Sequence, residues 1–167
     1  TSEVKEVAVP APQTAGYTDR PQPSIRKVIA RNMAQSLSTI PQLTHHASFD
    51  ATALLAYRAQ VKAHAEKLGV ADITLGDMVV YGVTRVLRDY PELNAHLLGD
   101  TLRLFDGVNL GLAVDTPRGL MVPTLFGADK MSLSDISKTT KELAEAARSG
   151  SIAPDLLTGA SFTVSNL

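Results

Sequence analysis

Apolar side chains recur at two periods along this chain. Between Ser24 and Pro41 they fall at Ile25, Val28, Ile29, Met33 and Leu37. That spacing places them on one side of an α-helix. Ser24 stands where an N-cap belongs, Pro41 ends the helix, and Arg26, Lys27 and Arg31 make its other face basic. The period then drops to two. Leu43, His45, Ala47 and Phe49 alternate with Thr44, His46 and Ser48, which predicts a half-buried strand. Next, Asp50 is placed to cap a helix over 51–68, with Gly69 in the usual closing position. Thr74 caps another, in which Leu75, Met78, Val79, Val83, Val86 and Leu87 cover much of the circumference. Such a helix is expected at the centre of the fold, and Pro91 follows its end.

From 94 to 126 the pattern is one of short strands divided by Gly99-Asp100, Asp106-Gly107 and Thr116-Pro117-Arg118-Gly119. Segments 109–114 and 120–125 flank the last of these as a long hairpin. Ser132 and Asp135 have capping-box spacing and open a helix to about Ser149, with Gly150 behind it. A short segment at Pro154 leads to the alternating run Phe162-Thr163-Val164-Ser165-Asn166-Leu167, a strand expected to be cut off before its pairing is complete. Helices and an antiparallel-looking sheet in mixed order predict an α+β fold. Residues 1–23 differ: they hold four of the nine prolines and no apolar period. They are expected to form an extended Ala/Pro linker to something upstream, ahead of a domain spanning 24–167.

Composition narrows the function classes. Hydrophobic residues make up 44% and charged residues 20%, with a net charge of −1. That balance provides no basic field for nucleic acid or membrane. Absence of cysteine excludes disulfides, thiolate metal sites and a cysteine nucleophile. No apolar run approaches the roughly 20 residues of a bilayer span, and the expected setting is cytoplasmic. Adjacent His45 and His46 would point to opposite faces of a strand and cannot share a metal. His64 has no acidic partner at metal-site spacing. Ser165 lacks the glycines of a nucleophile elbow, and Gly107 and Gly111 do not form a phosphate-binding run. Arg26, Lys27 and Arg31 could meet an anion, although a solvated helix face is the commoner explanation. The residue types by themselves yield a soluble α+β domain and no reaction.

Taken as an ordered set, the motifs are more specific. Ile25-Arg26-Lys27-Val28-Ile29-Ala30-Arg31-Asn32-Met33 is followed by Ile40-Pro41 with Thr44, and then by Pro91-x-Leu93-Asn94-Ala95. The series continues through Gly111-Leu112-Ala113-Val114-Asp115-Thr116-Pro117-Arg118-Gly119-Leu120-Met121-Val122-Pro123 and ends at Phe162 to Leu167. Over about 24–167 it resembles the catalytic core of the dihydrolipoamide acyltransferases, the E2 components of 2-oxo acid dehydrogenase complexes. The resemblance implies a chloramphenicol-acetyltransferase-like α+β fold, a mixed sheet packed with helices. It implies a homotrimer as the minimum unit, often built into a cubic or dodecahedral core. The linker would tether lipoyl and subunit-binding domains, through which the E1 and E3 components are engaged.

The implied reaction moves an acyl group from S-acyldihydrolipoamide to coenzyme A. A thiol must be deprotonated to attack, and attack creates an oxyanion that needs a hydrogen-bond donor. In the family a histidine is the base and a serine on the F-T-[IV]-S strand is the donor; the matching serine is Ser165. Coenzyme A contacts carry over to Arg58, Thr74, Asp115 and Asn166. A solvated helix face is the alternative for Arg58, and a simple cap for Thr74. No metal is implied. The family's D-H-R-x-x-D-G segment, with its catalytic His and Asp, is absent from these 167 residues, so this species is expected to be inactive alone. The alternative is a non-catalytic scaffold subunit that keeps the assembly surface without the base. A stand-alone acetyltransferase of the chloramphenicol type is a third reading, which the linker and the A-V-D-T-P-R-G-L run oppose.

Overall fold

The computed structural model describes residues 16–70 and 72–166. The linker expectation for residues 1–15 and the strand expectation for Leu167 lie outside them. The chain divides into two units between Ser48 and Phe49. In the first, residues 16–23 have no regular structure, and helix α1 spans Ser24–Thr39. Ser24 is its first helical residue rather than its cap. Pro23 takes the N-cap position, and its carbonyl accepts from the backbone N–H of Arg26 and Lys27. Proline has no N–H to leave unsatisfied there. The apolar face is real but uncovered, with Leu37 72% exposed. No strand forms over 43–49. Alternation marks a segment that fits a pleated surface, but a ladder needs a partner, and these residues are exposed.

Near the start of the second unit the Asp50 carboxylate accepts from the Thr52 N–H at 2.9 Å, but the N-cap of helix α2, Thr52–Ala63, is Ala51 rather than the expected Asp50. The single helix expected over 51–68 is broken at His64, and a short helix α3 follows at Ala65–Leu68. The His64 ring Nδ1 lies 2.8 Å from the Gln60 carbonyl. Gly69 closes the segment in the left-handed conformation, φ +61°. Helix α4, Leu75–Asp89, is capped reciprocally. Thr74 Oγ1 accepts from the Asp77 N–H at 3.1 Å, and Asp77 accepts from the Thr74 N–H at 2.7 Å. It buries Met78, Val80, Thr84 and Leu87, whereas Leu75, Val79 and Val86 are exposed. The expected central helix is therefore covered on one side only.

Strands β1 (Ala95–Leu98) and β2 (Thr101–Leu104) form a hairpin over Gly99. Strands β3 (Leu110–Leu112), β4 (Val114–Thr116), β5 (Gly119–Met121) and β6 (Thr124–Leu125) make the long hairpin in one continuous register, Leu110 opposite Leu125 and Thr116 opposite Gly119. Its ladder lapses near Pro123, which accepts from the Leu112 N–H at 2.9 Å but has no N–H to return. Helix α5, Leu133–Ser149, opens on the predicted Ser132–Asp135 box and ends at Gly150, φ +77°. Strand β7, Phe162–Val164, pairs with β3 in parallel. The sheet β6-β3-β7 is thus mixed, where alternation alone pointed to antiparallel pairing. The return through α5 delivers β7 beside β3 in the same direction. Val80, Leu87, Val108, Leu110, Leu112, Leu125, Ile136 and Leu143 join α4, α5 and this sheet in one core. Each fully buried leucine or isoleucine contributes about 1.5–3 kcal/mol.

Candidate active site

Three elements of the second unit end or begin at one place. Helix α4 starts there with Thr74, Leu75 and Gly76; the junction of β3 and β4 passes through Ala113 to Asp115; β7 runs out into Ser165 and Asn166. Together with Thr140, Ala144 and Arg148 from α5, they line an open cavity of about 730 Å³, within the size range of small-molecule sites. The walls are partly apolar, through Val79, Val80, Leu112, Val114 and Val164.

The sheet fixes where Ser165 stands. Leu110 faces Phe162 and Leu112 faces Val164, and the Ala113 N–H donates to the Val164 carbonyl at 3.1 Å. Close approach of β3 to β7 depends on Gly111. A Cβ there would meet Thr163 Oγ1 at 2.9 Å and Val122 Cγ1 at 3.0 Å. Beyond the ladder Ser165 is exposed and lines the cavity. The residue is therefore not sealed in the interior. Asn166 lies beside the first turn of α4, where a Cβ at Gly76 would be in ordinary contact with its Nδ2 at 3.9 Å.

Thr74 is held by more than its cap. Asp77 is 3% exposed, and besides the Thr74 N–H it accepts from the Ser137 hydroxyl at 2.9 Å. Lys141 donates in turn to Ser137 Oγ at 3.1 Å and to the Asp72 carbonyl. This chain ties the first turn of α4 to α5. A buried carboxylate needs such partners.

Four of the five residues singled out in the sequence, Thr74, Asp115, Ser165 and Asn166, thus share one cavity. Arg58 is not among its lining residues. Its Nε donates to the Ile73 carbonyl at 3.2 Å, on the backbone just before Thr74. Sequence reasoning missed Asp77, Ser137 and Arg148. Thr74-Leu75-Gly76-Asp77 has the same spacing as the Ser132–Asp135 box, so Asp77 was readable. Ser137 and Arg148 needed knowledge of which side of α5 faces the site. Among the described residues no group of three His, Asp or Glu is placed to hold a metal, and no helix is long and apolar enough to cross a membrane.

Comparison with known proteins gives this geometry a lineage. Residues 14–167 match the family model of the 2-oxoacid dehydrogenases acyltransferase (catalytic domain). The chain is 37% identical over 143 residues to the dihydrolipoyllysine-residue acetyltransferase component of the pyruvate dehydrogenase complex of Cupriavidus necator, covering 86% of this chain and 26% of that protein. It is 32% identical over 162 residues to the lipoamide acyltransferase component of the branched-chain alpha-keto acid dehydrogenase complex of Bacillus subtilis, covering 97% and 38%. A structure of Azotobacter vinelandii dihydrolipoamide acetyltransferase, solved to investigate a serine, a histidine and an asparagine in its catalytic mechanism, superposes with a TM-score of 0.82 at 35% identity, covering 90% of this chain and 62% of that one. The cubic core of a pyruvate dehydrogenase multienzyme complex also gives 0.82, at 33% identity, covering 94% and 65%. The chain therefore spans roughly a quarter to two-fifths of these curated relatives and under two-thirds of the solved chains. Its fold is the α+β, chloramphenicol-acetyltransferase-like fold of such cores. By sequence and by structure, the chain belongs to the 2-oxo acid dehydrogenase acyltransferase family, in its catalytic domain.

Proposed function

We propose that the cavity at Ser165 is the acyl-transfer site for moving an acyl group from S-acyldihydrolipoamide to coenzyme A. The observation that carries this reading is the convergence of Thr74, Asp115, Ser165 and Asn166 on one open cavity. In the reaction the acceptor's thiolate sulfur bonds to the thioester carbonyl carbon, and the carbonyl electrons move to oxygen. Ser165 donates its hydroxyl hydrogen bond to that oxyanion. Collapse of the intermediate breaks the bond to the dihydrolipoyl sulfur, which leaves as a thiolate and takes up a proton. Asp115 is an acceptor suited to an amide N–H or hydroxyl of coenzyme A, and Asn166 and Thr74 add polar contacts to its arm. Arg58 supports the site from behind Thr74.

The proton acceptor is the missing part. No D-H-R-x-x-D-G segment occurs in the 167 residues, so these residues alone supply the donor and the binding surface. A coupled thiol-transfer assay is expected to show no turnover by this species. In a longer species of the protein that carries that segment, turnover is expected, and Ser165→Ala should lower it by a hundredfold or more. Turnover by the 167-residue species, or full activity of Ser165→Ala in the longer one, would overturn the assignment.

Assembly is part of the same proposal. The uncovered apolar surface of α1, and separately that of the β1–β2 hairpin at Leu97, Leu102 and Leu104, support a trimer as the smallest stable unit. Lipoyl-bearing domains and the E1 and E3 components would be its working partners, in a cytoplasmic setting.

A further inference from the structure

We infer that Ser137, backed by Lys141, is a positioning residue of the Ser165 cavity and acts through Asp77 to fix Thr74 against the acyl acceptor. The inference rests on the acyl-transfer reading and deepens it. Thr74 reaches the cavity at the start of α4. Its Oγ1 and Asn166 Nδ2 flank Gly76, at 3.6 and 3.9 Å from where a Cβ would stand. The backbone leading into this turn is held at three successive residues. The Asp72 carbonyl accepts from Lys141 of α5, the Ile73 carbonyl accepts from Arg58 of α2 at 3.2 Å, and the Thr74 N–H donates to Asp77 of α4 at 2.7 Å. Ser137 joins two of these anchors, donating to Asp77 at 2.9 Å and accepting from Lys141 at 3.1 Å.

A capping box does not by itself call for such a link. The chain contains a second box, Ser132–Asp135, with the same reciprocal bonds at the start of α5. There Asp135 is exposed, and its hydrogen bonds among the described residues stay within the box. Asp77, by contrast, is buried beside a fully buried Ser137. Burying a carboxylate carries a desolvation cost that a surface cap avoids. The buried, cross-linked arrangement stands at the box whose first residue lines the cavity. The Thr74 N–H and the Ser137 hydroxyl donate to the same oxygen, Asp77 Oδ2, so a displacement of one is passed directly to the other. Without Ser137 the carboxylate loses its tie to α5, and Thr74 keeps only its local cap.

Titration calorimetry of coenzyme A into the 167-residue chain, run as a double-mutant cycle, tests the inference. Ser137→Ala should weaken binding about threefold to tenfold, the scale of one hydrogen bond, and Thr74→Ala by a similar factor. In the Thr74→Ala background, Ser137→Ala should change nothing further, since the hydroxyl it positions is gone. Lys141 is exposed, so Lys141→Met reads the same link even where Ser137→Ala fails to fold. Its loss should be about threefold, vanish beside Thr74→Ala, and be restored in Lys141→Arg, which keeps a donor. Unchanged affinity in both Ser137→Ala and Lys141→Met overturns the inference and spares the acyl-transfer reading. So do losses that simply add in the double variants, which would make Ser137 a support of the fold at large. A parent chain that binds no coenzyme A removes the acyl-transfer reading and this inference with it.

Discussion

A buried hydroxyl without a partner costs a fold its desolvation and returns nothing. Thr140 carries one: its Oγ1 is buried with no hydrogen-bond partner among the described residues. Thr140→Val keeps the β-branched shape and removes the polar atom. It is expected to stabilise the chain by about 1 kcal/mol, seen as a Tm raised by about 2–4 °C; a lower Tm would mean that the hydroxyl is satisfied. Asp135 works in the opposite sense. The Ser132 hydroxyl and backbone N–H hold its carboxyl below the ordinary carboxylate range. A depressed folded value means that its contribution is complete above the unfolded value of about 3.9 and is lost as pH falls through the folded one. The stability gap between the parent and Asp135→Asn, followed by thermal melts, should therefore close below about pH 4 and stay constant above it. Residue chemistry of this local kind was legible in the sequence, because a cap needs only its own three neighbours. The role proposed for Ser165 was not legible from its neighbours and came only from the ordered series of motifs.

Elements whose signals are local formed as read: α1, α4, α5 and the long hairpin all appear near their predicted bounds. The failures share a cause. Alternation over 43–49 carried no information about a partner, and the parallel pairing of β7 to β3 depends on a crossover rather than on either strand's pattern. The break of α2 from α3 at His64 has no local mark, since no glycine or proline stands between residues 60 and 67. The tight seam between β3 and β7 makes a test at this scale. Gly111→Ala would press a methyl group into Thr163, Val122 and Ala160. It should destabilise by about 1–3 kcal/mol and weaken coenzyme A binding by displacing Ser165. Unchanged stability in chemical denaturation would show that the seam has slack.

At the scale of the molecule, large apolar side chains are exposed in groups rather than singly. Leu97, Leu102 and Leu104 occupy one hairpin, Leu75, Val79 and Val86 lie along α4 with Tyr90 just past its end, and Ile25, Val28, Met33 and Leu37 lie along α1. Light scattering should report about three times the chain's 17.8 kDa, or a multiple of it; a stable monomer would contradict the assembly proposal. The cavity at Ser165 was foreseen only in part, because a site built from the ends of α4, β4, α5 and β7 exists once those ends meet. The most direct measurement is a crystal structure of the chain with coenzyme A. The thiol should lie beside the Ser165 hydroxyl, with the arm running past Asp115 and Asn166. Coenzyme A bound elsewhere, with the Ser165 cavity empty, would contradict the account at its centre.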